Sequence, residues 1–127
     1  MNCFIFISLL IHFISPSLCT SQSSPQKFEF GLDIGSVGFF SSGKIGFFQK
    51  SVEVPIPTLP CKKLTYVQVD IYNKRAKPNV SLNNNNDTKV LIKYKLLQYS
   101  KSYYEVFAKY ISIPYCETLQ GQLYSNN

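Results

Sequence analysis

Few residues in this chain are equipped for chemistry. The sequence holds 7 Asp and Glu, 4 Cys and one histidine, His12. His12 lies within an apolar N-terminal run, Phe4 to Phe13, which Pro16 follows. The run is too short to span a bilayer, and Ser17 and Cys19 stand at −3 and −1 of a cut before Thr20. Residues 1–19 therefore read as a secretory signal peptide, although Met1-Asn2-Cys3 carries no Lys or Arg. Cleavage removes His12, Cys3 and Cys19. A Ser-His-Asp or Cys-His nucleophilic site then has no histidine. Zinc and copper lose their commonest ligand, and two cysteines without short spacing do not replace it. We expect no enzyme, no cofactor and no metal. Glu53, Asp70 and Glu105 are the carboxylates that could pair for glycoside chemistry. Their strand positions put all three on solvated faces.

Two cysteines remain, Cys61 and Cys116, and in an oxidising compartment they are expected to form one disulfide. Two glycosylation sequons follow from the same compartment, Asn79-Val80-Ser81 and Asn86-Asp87-Thr88. Asn86 is the better acceptor, since its polar loop must be exposed. The chain carries 13 Lys and Arg against 7 acids, a net charge of +6. That charge serves solubility and edge protection, and it also favours an acidic partner. The densest positive stretch is Lys74-Arg75-Ala76-Lys77. With Lys62 and Lys63 it gives the candidate basic contacts. Nine extended residues separate the two groups by about 30 Å, so two small basic spots are expected rather than one patch.

The elements that must hold these residues are strands. Leu64 to Tyr72 alternates Thr65, Val67, Val69 and Ile71 with Leu64, Tyr66, Gln68, Asp70 and Tyr72. Similar alternation marks 27–33, 51–56, 89–97 and 103–113, with a short strand at 79–82. Residues 34–40 and 44–49 read as a hairpin around Ser41-Ser42-Gly43, with Gly43 at positive φ. Gly31, Gly35, Gly38, Gly43 and Gly46 signal bulges or close backbone approach. Phe39-Phe40 and Phe47-Phe48 should each send one ring to either face. No stretch sustains a helical period. The fold class is all-β, a small antiparallel β-sandwich or twisted sheet with one disulfide. Residues 20–26 form a flexible lead-in, 27–116 a single β domain and 117–127 a loose tail.

Leu64-Thr65-Tyr66-Val67-Gln68-Val69, Val90-Leu91-Ile92-Lys93-Tyr94-Lys95, and Tyr104-Glu105-Val106 with Tyr110 resemble three strands of a family of small insect proteins. That family is named after multiprotein bridging factor two. The resemblance covers about residues 64–110. The family's Gly-Gly-Pro-Gly loop is replaced here by Asn83-Asn84-Asn85-Asn86-Asp87. Membership implies a secreted salivary or haemolymph protein and supplies no catalytic residue.

These readings converge on a secreted, non-enzymatic binding or effector domain. It would act outside the cell on a protein or an anionic surface, with no nucleic acid expected and no membrane span after cleavage. The alternative is a small cationic carrier of a lipid or other apolar ligand, with Phe39, Phe47, Tyr94 and Tyr104 lining its cavity.

Overall fold

A computed structural model describes residues 24–73, 75–95 and 100–116. Residues 1–23, with the expected signal peptide and most of the lead-in, Lys74, residues 96–99 and the tail 117–127 lie outside the described residues. Seven strands form: β1 (Gln26–Gly31), β2 (Ser36–Ile45), β3 (Ser51–Pro55), β4 (Lys62–Tyr72), β5 (Asn79–Asn83), β6 (Lys89–Lys93) and β7 (Ser102–Ser112). They make a four-stranded sheet ordered β1-β4-β7-β2 and a three-stranded sheet ordered β3-β6-β5. Every pairing is antiparallel.

The period-two pattern explains the packing. Val67, Val69 and Ile71 of β4 and Val106, Ala108 and Tyr110 of β7 point one way. They meet Val54 of β3, Val80 of β5 and Val90 and Ile92 of β6 in one core, with Phe28, Phe30 and Phe39 packed on its margin. The two inner faces thus share a single apolar layer, which is the arrangement of a β-sandwich.

Two features depart from strict alternation. Leu64 pairs with Tyr110 and Tyr66 with Lys109, so Thr65 is an extra, bulged residue. Its hydroxyl donates to the carbonyls of Ile34 at 2.7 Å and Lys109 at 3.0 Å. The bulge shifts parity, so Leu64 packs against the core with Val67 instead of facing outward with Tyr66. The expected 34–49 hairpin does not form. β2 runs unbroken through Ser41-Ser42-Gly43 and pairs with β7 along its length, apart from a bulge between Val37 and Phe39. Gly43 is therefore extended, and its role is space. A Cβ there would lie 2.6 Å from Tyr104 Oη and 2.7 Å from Cζ, because the Tyr104 ring covers it. Positive φ is instead found at Gly31, +86°, where a Cβ would stand 2.2 Å from the Thr65 carbonyl oxygen.

The course of β2 also decides the aromatic pairs. Phe39 packs on the core and Phe40 faces outward, stacked on Phe107 at 5.7 Å between ring centroids. Phe47 and Phe48 do not divide between faces. The strand ends at Ile45, and both rings are exposed on the turn that follows.

Cys61 and Cys116 are disulfide-bonded, with Cα atoms 5.4 Å apart. The reason lies in strand pairing. Lys62 opposes Ser112, so the start of β4 and the end of β7 share one end of the sheet. Ile113 N–H also donates to the Cys61 carbonyl at 2.8 Å. Among the described residues no helix is long and apolar enough to cross a membrane.

Candidate functional site

Antiparallel pairing sorts the connections between the two ends of the sandwich. Ile45 opposes Ser102, Tyr72 opposes Tyr103, and Ser51 and Asn79 both oppose Lys93. Three connections consequently share one end: 46–50, 73–78 and 94–101. They are Gly-Phe-Phe-Gln-Lys, Asn-Lys-Arg-Ala-Lys-Pro and Tyr-Lys-Leu-Leu-Gln-Tyr-Ser-Lys. Their composition is one-sided. Lys50, Lys74, Arg75, Lys77, Lys95 and Lys101 are six of the chain's 13 Lys and Arg, and no Asp or Glu is among them. Lys50, Arg75, Lys77, Lys95 and Lys101 are exposed, as are the flanking Lys44 and Lys93.

A buried polar network fixes this end. Asn73 leaves β4 with its side chain turned inward, and its Oδ1 accepts from the N–H groups of Arg75 at 2.9 Å and Ala76 at 3.0 Å. The same oxygen accepts from Ser100 Oγ at 3.0 Å. Asn73 Nδ2 donates to Ser102 Oγ at 2.5 Å and lies 3.5 Å from Tyr94 Oη. Tyr94 Oη and Ser102 Oγ are 2.9 Å apart, and Tyr94 N–H donates to the Lys50 carbonyl at 2.8 Å. One asparagine and one tyrosine therefore tie all three connections together. A buried network with this many satisfied members holds its backbone in one arrangement.

Lys62 and Lys63 sit at the other end, beside the disulfide, so the two basic groups are separate as the strand length requires. The sequence reading missed the contribution of Lys50, Lys95 and Lys101. Those residues are far apart in the chain, and only the two-sheet topology assembles them with Arg75 and Lys77. Lys74 lies outside the described residues. The two sequons also divide. Asn79 is exposed where β5 begins, at the basic end, whereas Asn86 is exposed in the β5–β6 connection at the far end. A glycan on Asn79 would crowd the cationic loops, and one on Asn86 would leave them open.

The outer face of the four-stranded sheet holds the carboxylates. Asp70 of β4 directly opposes Glu105 of β7, whereas Glu53 lies on the other sheet in an ion pair with Lys89 at 2.7 Å. Contrary to the expectation of a solvated position, Asp70 is only 7% exposed. Its Oδ2 accepts from Gln68 Nε2 at 2.8 Å, and its Oδ1 has no hydrogen-bond partner among the described residues. Tyr72 Oη donates to Glu105 at 3.3 Å. Like charges directly opposed across strands oppose folding by a few tenths to about 1 kcal/mol. Among the described residues no three His, Cys, Asp or Glu are grouped to hold a metal.

Tyr66, on the same face, donates to Glu29 and lies under the Lys109 ammonium, which is 5.6 Å from its ring. Burial first, then the Glu29 hydrogen bond and the nearby carboxylate charges, push its phenol from 10.0 up to about 12. The folded protein thus holds this proton more tightly than the unfolded chain does. The associated stability is fully present below pH 10 and is lost as pH rises through about 12. Burial also raises the Tyr72 and Tyr110 phenols, so tyrosinate absorbance during alkaline titration should show several late-ionising phenols, one of which is absent in Tyr66→Phe. A wild-type titration identical to that of the variant would refute this.

The proposed cavity residues do not converge on one space. Tyr94 is buried in the polar network, Phe39 and Tyr104 pack on the core, and Phe47 is exposed on the β2–β3 turn. No family model, curated protein or solved structure matches this chain.

Proposed function

We propose that this chain is a secreted, non-enzymatic binding domain that engages a negatively charged partner through its three-loop basic end. The observation that carries the reading is the convergence of Lys50, Arg75, Lys77, Lys95 and Lys101, with no acid among the described residues of those connections, on one end of the sandwich. The Asn73–Tyr94–Ser102 network supports it, because a fixed backbone spares part of the ordering cost of binding. Clustered charge of one sign raises the encounter rate with an oppositely charged surface and makes it salt-dependent. The secreted setting rests on the apolar leader, the sequons, the disulfide and the resemblance to secreted insect proteins.

Elution from an immobilised sulfated polyanion tests this reading. Arg75→Glu with Lys77→Glu lowers the net charge by four, and Lys62→Glu with Lys63→Glu lowers it by the same amount at the far end. The first pair should weaken binding about tenfold in low salt, and the second should do so far less. Equal effects would show that net charge alone decides and would defeat the assignment. A wild-type protein that does not bind the matrix would do the same.

A further inference from the structure

The β2–β3 turn carries two large apolar side chains that are half or more exposed. Phe47 is 50% exposed and Phe48 60% exposed. They occupy the two central positions of a four-residue turn closed by Gln49 N–H donating to the Gly46 carbonyl at 3.4 Å. Gln49 Oε1 accepts from Gly46 N–H at 3.1 Å and braces the turn a second time. Phe48 has φ of +64°, at the third position, where glycine or asparagine is the ordinary choice. An aromatic residue there carries a conformational cost and contributes no core packing. Strain of that kind concentrates at functional sites.

The surroundings identify the partner. Lys101 Nζ lies 5.7 Å from the centre of the Phe47 ring, Lys50 is exposed just after the turn, and Lys44 is exposed just before it. Tyr72 and Tyr103 stand at the same end of the outer sheet face, ring centroids 5.8 Å apart, with Lys44 next to Tyr103 in register. The carboxylates Asp70, Glu105 and Glu53 are set back along their strands, where Gln68, Tyr72 and Lys89 bond to them. Exposed phenylalanines at a tip, lysines around them and amphipathic tyrosines behind them form the gradient of a membrane interface. The far end also exposes apolar residues, Leu32 and Ile34 with Asp33 between them and Ile113 and Tyr115 with Pro114 between them, but none are adjacent in the chain as Phe47 and Phe48 are.

We propose that this turn is a docking tip for an anionic lipid bilayer. Phe47 and Phe48 enter the headgroup–acyl boundary, while Lys44, Lys50 and Lys101 lie at the level of the lipid phosphates. This rests on the basic-end reading and names the partner of that same site.

The mature protein has no tryptophan, so Phe47→Trp and Leu32→Trp place single fluorophores at opposite ends. With vesicles of phosphatidylcholine containing phosphatidylserine, the Phe47→Trp emission should shift to the blue and that of Leu32→Trp should not. Phe47→Ser with Phe48→Ser should lose about 100-fold in co-sedimentation with these vesicles and keep its retention on the sulfated polyanion. Polyanion binding without vesicle binding, or vesicle binding that survives the double serine variant, would overturn the docking tip and leave the basic-end reading standing. Loss of both in the wild type would overturn both. A shift at Leu32→Trp alone would place the membrane contact at the wrong end and overturn the proposal.

Discussion

Replacing Cys61 and Cys116 together by alanine is expected to destabilise the folded protein by about 4 kcal/mol. The disulfide closes a loop with a sequence separation of 55 residues, and the chain-entropy model assigns a constraint of that length most of its effect through the unfolded state. A domain of this size has about 5–15 kcal/mol of stability in total, so the loss is a large fraction of it. The melting temperature should fall by roughly 20 °C. The loop contains all of β4, β5, β6 and β7, hence strands from both sheets. Its loss should therefore be felt across the whole cooperative transition and not as fraying of one edge. Paired thermal and urea unfolding of the oxidised protein and the double alanine variant would measure it. A difference under about 1 kcal/mol would mean that the β4–β7 pairing already holds the two ends together in the unfolded ensemble.

Asn73→Ala should cost about 3 kcal/mol, the second largest loss we expect. The substitution removes the acceptor for Arg75 N–H, Ala76 N–H and Ser100 Oγ, together with the donor to Ser102 Oγ. Several buried or half-buried polar groups would then be stranded, and unmade bonds cost more than made bonds contribute. Asn73→Asp gives a useful comparison. It keeps the acceptor for the two backbone N–H groups, and the hydroxyls of Tyr94 and Ser102 can rotate to donate towards it, so its loss should be smaller. The two variants should rank Ala below Asp in urea midpoint. Backbone hydrogen exchange at Arg75 and Ala76 should accelerate in Asn73→Ala ahead of global unfolding. Unchanged exchange there would show that the basic end is held by something other than this network.

Much of the scaffold is written in local periodicity. Alternating apolar residues placed Val90 and Ile92 of β6, and Val106, Ala108 and Tyr110 of β7, on buried faces, because a pleated strand turns successive side chains to opposite sides. The Cys61–Cys116 pair was legible for a related reason: one cysteine precedes a strand, the other follows its antiparallel neighbour, and the pairing brings them together. The separation of Lys62 and Lys63 from Arg75 and Lys77 followed from strand length alone.

Other features needed the tertiary structure. Parity at Leu64 depends on the Thr65 bulge, which Ile34 of the β1–β2 connection and Lys109 of β7 hold in place. Ser41-Ser42-Gly43 looks like a turn by composition, yet β7 offers β2 an unbroken partner and Tyr104 fills the space above Gly43. Asp70 reads as solvated on an outward strand position, and its neighbours on β1 and β7 bury it. The sequence by itself determined most of the strands, most of their buried faces and the covalent staple, since each depends on residues close in the chain or on one pairing. The assembly of Lys50, Arg75, Lys77, Lys95 and Lys101 at the end that carries Phe47 and Phe48 was decided only when two sheets stacked, because that choice of neighbours is made by burial across the whole core.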